Sequence, residues 1–184
     1  KIIITGYIKF DFLLNKLKNF NKKKNSVVIA PTNYLAYKDS LLIKDLQKTI
    51  SKLLSFRKYK IILRPHPSNK DDPLMQQIAK KFKKEKKFSL NYDKNYLNLY
   101  SSSLCLITDI SGTAYTYAFL TENPVIFFDN YKKKISKTYF FNDRKKIGYI
   151  CNSTVSMMTK LKSINKYKND FKEKIINLKK QRLA

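Results

Sequence analysis

Short runs of apolar and β-branched residues alternate along the chain with stretches in which apolar positions recur every three or four residues. The first kind is typical of buried strands and the second of amphipathic helices. The strand candidates are residues 2–4, 27–30, 59–63, 88–90, 104–108, 125–128 and 147–151. The helix candidates are residues 9–17, 39–53, 72–82, 96–100 and 111–120, with two more after residue 151. This alternation predicts an α/β, Rossmann-like parallel sheet with helices on both faces.

Local signals sharpen some of these boundaries. Asp72 is expected to cap a helix that has Pro73 at its first position, where a missing N–H costs nothing. The spacing of Leu42, Leu46, Ile50 and Leu53 predicts one buried helix face; Asp39 or Ser40 would be its N-cap. The basic segment 20–25 is predicted to be a linker, and residues 131–146 to be irregular.

Length and composition predict a folded chain without transmembrane helices. A chain of 184 residues fits one domain. Its 43% hydrophobic content, with 12 Phe and 13 Tyr, supplies a core. No apolar run approaches the roughly 20 residues that span a bilayer. Cys105 and Cys151 with one histidine form neither a zinc site nor a disulfide framework, so no metal or cofactor is assigned. A reducing, cytoplasmic location is expected.

The net charge of +26 has two interpretations. It points to an anionic partner, such as nucleic acid, acidic lipid or a phosphorylated substrate. However, 35 of the 39 basic residues are Lys, and Asn and Ile are also abundant, which is typical of an AT-rich coding bias. The basic residues form neither an RNP-type aromatic motif nor a recognisable helix-turn-helix, so nucleic acid is the less favoured partner.

Unusual residues follow four predicted strands. They are Ala30-Pro31-Thr32, Arg64-Pro65-His66-Pro67, the segment from Thr108 to Thr113, and Phe128-Asp129. Ligands of doubly wound sheets bind outside the carboxyl ends of the strands. The predicted topology therefore brings these segments to one edge and makes that edge the candidate site.

The only histidine stands between two prolines. Each proline restricts its own φ and favours an extended conformation for the residue before it, so His66 is held on a stiff loop. Arg64 and His66 together could bind a phosphate and donate a proton to it. The alternative is a proline-rich turn in which His66 only caps a backbone group.

Ser111, Gly112 and Thr113 open a helix directly after a strand. A helix N-terminus offers N–H groups and a positive dipole end, so this segment is a candidate pyrophosphate seat, with Gly112 allowing close approach. Asp109 would repel a pyrophosphate and is expected to accept backbone or hydroxyl hydrogen bonds. A simple N-cap role for Asp109 or Ser111 is the alternative.

These segments together resemble the CDP-glycerol glycerophosphotransferases of teichoic-acid and capsule synthesis. The resemblance covers roughly residues 2–131. Its motifs are Thr5-Gly6-Tyr7 with Asp11, Ala30-Pro31-Thr32, Arg64-Pro65-His66-Pro67, Leu106-Ile107-Thr108-Asp109-Ile110-Ser111 and Asn123-Pro124-Val125-Ile126-Phe127-Phe128. Ile110 stands where the family has Tyr, Gly112 where it has a second Ser, and Ile8-Lys9-Phe10 where it has Pro-Arg-Asn.

The resemblance implies the C-terminal domain of a GT-B enzyme, in which two Rossmann-like domains face each other across a cleft. Residues 1–20 would be an interdomain segment and helix, 21–152 the nucleotide-donor-binding domain, and 153–184 C-terminal helices. His66 would be catalytic, and the substrate-binding residues would be Thr32, Arg64, Asp109, Ser111, Gly112 and Thr113.

The implied reaction is attack of an acceptor hydroxyl on the β-phosphorus of CDP-glycerol, with release of CMP. The implied partners are this nucleotide-diphosphate donor, a lipid-linked or polymer acceptor, an N-terminal domain and the inner face of the cell membrane. Two alternatives stay open: the corresponding half of a nucleotide-sugar glycosyltransferase or epimerase, and a basic domain that binds nucleic acid or a membrane surface.

Overall fold

Six parallel strands form one sheet in the order β3-β2-β1-β4-β5-β6. The computed structural model describes residues 8–17, 24–36, 41–129, 139–166 and 168–183. The strands are β1 (Ser26–Ile29), β2 (Lys60–Leu63), β3 (Phe88–Leu90), β4 (Ser103–Thr108), β5 (Val125–Phe128) and β6 (Gly148–Cys151). Strand order reverses between β1 and β4, so their carboxyl ends form the topological switch point.

Side chains of the central strands point alternately into two hydrophobic clusters. Val27 and Ile29 of β1 belong to one cluster, while Val28 and the following Ala30 belong to the other. This alternation follows from the two-residue period of a strand. Because both faces of the sheet are covered by helices, Val27, Val28 and Ile29 of β1 are all apolar, as the sequence pattern predicted.

Helices cover both faces of this sheet. The helices are α1 (Ile8–Leu17), α2 (Leu41–Lys44), α3 (Leu46–Ser55), α4 (Pro73–Phe82), α5 (Leu97–Ser101), α6 (Thr113–Thr121), α7 (Tyr139–Ile147), α8 (Thr154–Ser163) and α9 (Lys168–Leu183). Helices α2, α3, α4 and α8 bury side chains on one face, and α1, α5, α6, α7 and α9 on the other. No described helix is long and apolar enough to cross a membrane.

Several predicted boundaries agree with the structure. The Asp72 side chain accepts a hydrogen bond from the Leu74 N–H, and Pro73 is the first residue of α4. The predicted helix face of four leucine and isoleucine residues is buried throughout. The helix is interrupted at Asp45, however, so α2 and α3 are separate elements. The predicted strand 2–4 and most of the predicted linker lie outside the described residues.

The prediction of an irregular region over residues 131–146 is wrong from residue 139 onward, where α7 lies. The reason is that two buried residues in the middle of this helix are charged. Asp143 and Arg144 are less than one-tenth exposed and form ion pairs, so the segment has no strong apolar period. The domain boundaries stay predictions. Helices α8 and α9 pack against opposite faces of the sheet.

Candidate functional site

A pocket of about 160 Å³ lies at the carboxyl ends of β1, β2 and β4. It therefore occupies the switch point where open α/β sheets bind their ligands. Its lining residues are Ala30, Pro31, Arg64, Pro65, His66, Pro67, Tyr96, Tyr100, Ser111 and Thr113. Of the residues predicted for the site, Arg64, His66, Ser111 and Thr113 are thus brought together.

Thr32 and Asp109 lie behind the pocket. Asp109 is 1% exposed, and its Oδ1 accepts a hydrogen bond from the Thr32 backbone N–H at 3.0 Å. The neighbouring Thr108 hydroxyl donates to the Ala30 carbonyl oxygen at 2.6 Å. These two bonds join the loop after β1 to the loop after β4. Asp109 therefore accepts a backbone hydrogen bond, as expected, and shapes the pocket from behind.

His66 both caps a backbone group and lines the pocket, which the sequence left open as alternatives. Its Nδ1 accepts a hydrogen bond from the Ser68 backbone N–H at 3.2 Å, so it does cap the turn over Pro67–Asn69. Because a backbone N–H can only donate, Nδ1 carries no proton in this arrangement. In the neutral ring the proton is then on Nε2. The exposed imidazole also lines the pocket, where Nε2 can act as a donor.

The Arg64 guanidinium is held in place on several sides. Its Nη1 donates a hydrogen bond to Oδ1 of Asn91, and its Cζ lies 5.7 Å from the centre of the Tyr96 ring. The Tyr100 side chain is also close enough for the charge of Arg64 to act on its hydroxyl. These contacts restrict a side chain that is otherwise flexible, so the charge is positioned before any ligand arrives.

Tyr100 connects this arginine to the start of α6. Only 2% of the residue is exposed, and its hydroxyl lies 2.6 Å from Oγ1 of Thr113. Burial raises the pKa of Tyr100, because a phenolate would be poorly solvated there. At neutral pH the residue is therefore a phenol that can donate one hydrogen bond and accept others.

The predicted pyrophosphate seat is less open than the sequence suggested. Helix α6 begins at Thr113. Its first N–H groups already form long, weak hydrogen bonds with acceptors in the preceding residues. The Thr113 N–H points to Oγ of Ser111 at 3.4 Å, and the Ala114 N–H to the Ser111 carbonyl oxygen at 3.2 Å. A phosphate would have to compete with these weak bonds. Gly112 does not line the pocket; a Cβ at this position would meet nothing within 4 Å.

Sequence reasoning missed Asn91, Tyr96 and Tyr100. Asn91 follows the last residue of β3, so the strand-end criterion that found Arg64 would also have found it. The two tyrosines are four residues apart and stack with ring centres separated by 5.0 Å. A short helix of five residues gives little periodic signal, and their contact with Arg64 depends on the tertiary structure.

Asp129, the fourth strand-end candidate, forms an ion pair with Arg144 at 2.7 Å and does not line the pocket. Cys105 is fully buried in β4, and this burial raises the pKa of its thiol, as is typical of an inert cysteine. Within the described ranges, no three His, Cys, Asp or Glu residues are grouped so that they could hold a metal ion.

The sheet order and the pocket at the switch point define a Rossmann-like domain of the kind that GT-B enzymes contain. The model of the CDP-Glycerol:Poly(glycerophosphate) glycerophosphotransferase family matches residues 1–183, and the chain belongs to this family. The resemblance inferred from the strand-end motifs and the predicted fold class are thereby confirmed.

One curated relative and one solved structure are similar to this chain. The Minor teichoic acid biosynthesis protein GgaB of Bacillus subtilis (strain 168) is 33% identical over 101 residues, which are 53% of this chain and 10% of GgaB. The Wall Teichoic Acid Polymerase TagF superposes with a TM-score of 0.62 at 23% identity, over 95% of this chain and 42% of TagF. The chain therefore spans less than half of each of these proteins.

The fold is also shared with a sugar-nucleotide enzyme. The UDP-GlcNAc 2-epimerase of Methanocaldococcus jannaschii, solved with UDP-GlcNAc and UDP, has a TM-score of 0.63 at 14% identity. The match covers 89% of this chain and 48% of the epimerase. At this identity the likeness concerns the fold alone.

Proposed function

We propose that this chain is the donor-binding domain of a transferase that moves glycerol phosphate from CDP-glycerol to a cell-surface polymer and releases CMP. The observation that carries the proposal is the joint placement of Arg64 and His66 in the switch-point pocket of a member of this family. A TagF variant soaked with CDPG has been solved; it is 25% identical to this chain, with a TM-score of 0.59.

The pocket suits the phosphate portion of such a donor. Its volume corresponds to about five water molecules at about 30 Å³ each. The fixed Arg64 guanidinium supplies a permanent positive charge. The hydroxyls of Ser111 and Thr113 supply hydrogen-bond donors when Tyr100 donates to Thr113. Diphosphate oxygens are recognised by this combination of charge and donors. The nucleoside would extend out of the pocket into the cleft.

His66 is assigned the role of hydrogen-bond donor to the leaving group. The acceptor hydroxyl attacks the β-phosphorus, and the bond from that phosphorus to the bridging oxygen breaks. The bridging oxygen leaves on CMP with the bonding electron pair. Nε2–H of His66 can donate a hydrogen bond to the charge that develops on this departing phosphate, while Nδ1 stays bonded to the Ser68 N–H. The proton stays on Nε2, because its transfer from a neutral ring would leave an imidazolate. A base for the acceptor hydroxyl would come from the N-terminal domain.

The remaining parts of the proposal concern partners. An N-terminal domain would supply the acceptor side of the cleft, and the acceptor would be lipid-linked or polymeric. Peripheral contact with the inner face of the membrane would follow from such an acceptor. Thr32, Asp109 and Gly112 stay predicted substrate-binding residues; the first two act through the shape of the pocket.

Titration of the chain with CDP and with UDP by calorimetry tests this function. We expect weak binding of CDP and no transfer of glycerol phosphate, because the domain that orients the acceptor is absent and proximity is lost. Full transferase activity from the chain alone would contradict the two-domain proposal. Absence of binding by either nucleotide would contradict donor binding.

The second candidate is one half of a nucleotide-sugar glycosyltransferase or epimerase, which the shared fold with the epimerase favours. A clear preference for UDP over CDP in the same titration would support it. The third candidate is a basic domain that binds nucleic acid or a membrane surface. Binding of random oligonucleotides without any binding of CDP or UDP would support that candidate.

A further inference from the structure

Four lysines and one glutamate lie close together beside the amino ends of β1 and β5, at the opposite edge of the sheet from the pocket. Lys24 lies just before β1, and Lys168, Lys172 and Lys179 lie on α9; together they are named the lysine cluster. Glu122 lies in the turn between α6 and β5. Its carboxylate oxygens are 3.4 Å from Nζ of Lys179 and 3.7 Å from Nζ of Lys172.

Lys24 occupies the most crowded position of the cluster. Its Nζ donates a hydrogen bond to Oδ1 of Asn123 at 3.0 Å, and its side chain contacts that of Lys168. Partial burial, followed by the charges of Lys168 and Lys172, lowers the pKa of Lys24 to about 8, whereas Glu122 acts in the opposite direction. The ammonium groups are thus packed together with one carboxylate between them.

Two other cations in the described part of the chain each have a carboxylate partner at short range. Arg144 pairs with Asp129 at 2.7 Å, and Arg182 pairs with Asp143 at 2.6 Å. The lysine cluster has four positive charges around the single charge of Glu122. An anion bound between the ammonium groups would remove part of their mutual repulsion.

We propose that the lysine cluster binds phosphodiester groups of a polyanionic chain, namely a glycerol phosphate polymer, at a site separate from the donor pocket. The choice of polymer rests on the proposed function and on the family, whose name includes poly(glycerophosphate). The side chains of Lys172 and Lys179 converge on Glu122 although these residues are about two turns apart on α9. A chain with several phosphates can approach neighbouring ammonium groups in turn, whereas a single phosphate would balance only part of their charge.

A polymer also fits the cluster better than a membrane surface does. Lys24, Lys168 and Lys179 are partly buried, and only Lys172 is exposed. A flexible chain can place one phosphate at a time beside recessed ammonium groups. A flat bilayer surface would contact exposed lysines first.

The test measures binding of a fluorescent synthetic oligo(glycerol phosphate) to the chain. The variant K24Q/K168Q removes two charges from the cluster. The control K84Q/K86Q removes two charges from exposed lysines after α4, so the net charge of the two variants is equal. We expect K24Q/K168Q to lower the affinity at least tenfold and the control to lower it less than threefold. The slope of the logarithm of the affinity against the logarithm of the salt concentration should become shallower by about 1 to 2 in K24Q/K168Q.

The pH dependence of polymer affinity tests the role of Lys24 separately from that of the other lysines. Bound phosphate stabilises the Lys24 ammonium, so binding takes up a proton above the pKa of about 8. The affinity of the unaltered chain should therefore fall as pH rises from 7.5 to 9.5, by up to tenfold per pH unit. The variant K24Q should show a clearly shallower fall.

Equal losses of affinity in the cluster variant and the control would overturn the proposal, because binding would then follow the net charge. Loss of binding to phosphatidylglycerol vesicles in K24Q/K168Q, with unchanged polymer binding, would overturn it in favour of a membrane contact. CDP affinity is measured in parallel and should be unchanged in both variants. Failure of CDP binding in the unaltered chain would contradict the proposed function and leave the polymer result intact.

Discussion

The two edges of the sheet handle positive charge in different ways. At the carboxyl edge, Arg64 is a single guanidinium fixed by Asn91, Tyr96 and Tyr100. At the amino edge, the lysine cluster places several flexible side chains around Glu122. A guanidinium in a fixed orientation can select one phosphate geometry, whereas several ammonium groups attract phosphate with little geometric selection. The net charge of +26 therefore includes at least two kinds of positive site.

The largest expected effect concerns His66. In the full-length enzyme, His66→Ala should lower the turnover number by roughly 10²–10³-fold, the usual range for loss of one positioned hydrogen-bond donor to developing charge. Polymer binding by the lysine cluster should not change. Steady-state kinetics with saturating donor measure this effect, and Ser68→Ala serves as a control because it keeps the backbone N–H that orients Nδ1. Unchanged turnover in His66→Ala would remove this residue from the chemistry.

Arg64→Lys should have the next largest effect. It keeps the charge but loses the planar fork that can bond two phosphate oxygens and the Asn91 amide, so donor affinity should fall about ten- to a hundredfold. Calorimetry with CDP measures the change. At the amino edge, exchange of one cation for the other should matter little, so Lys172→Arg should preserve polymer binding. If Arg64→Lys binds CDP normally, the role of Arg64 is structural.

Asn91→Ala tests whether the fixed orientation of Arg64 matters. Removal of the Oδ1 acceptor should cost about 1 kcal/mol of donor binding, or roughly a fivefold loss of affinity. The Asn91 amide also donates to Oδ2 of Asp93 at 3.0 Å, so Asn91→Asp would set two carboxylates together. The double variant N91D/D93N keeps the acceptor for Arg64 and avoids that repulsion, and it should restore the affinity for CDP. Equal affinity for CDP in all these variants would mean that the orientation of Arg64 does not depend on Asn91.

The smallest expected effect is that of Gly112→Val. The new side chain meets open space, and the backbone is in an ordinary right-handed conformation, so the melting temperature should change little. If the phosphate reaches the N–H groups at the start of α6, the bulk of valine beside them should lower CDP affinity by a few-fold, which calorimetry can detect. Unchanged binding would place the phosphate with Arg64 and the tyrosines and away from the helix end.

Most of the sheet could be predicted from the sequence because its strands are buried on both faces. Val27 to Ile29 and Leu104 to Thr108 are continuous apolar runs, and such runs are the clearest local signal of a parallel strand. Helix α7 could not be predicted in this way, because Asp143 and Arg144 are buried through ion pairs with residues distant in sequence. Local patterns carry no information about such pairs.

The candidate site also contains some features that local sequence predicts and others that depend on contacts between distant residues. The stiff loop around His66 follows from the sequence, since a proline restricts its neighbours wherever it stands, and so does the position of Arg64 after a strand. The positions of Asp109 behind the pocket, of Tyr100 between Arg64 and Thr113, and of Lys24 beside α9 depend on the fold. These contacts join residues whose separation along the chain is large, and strand order and helix packing alone bring them within hydrogen-bonding distance.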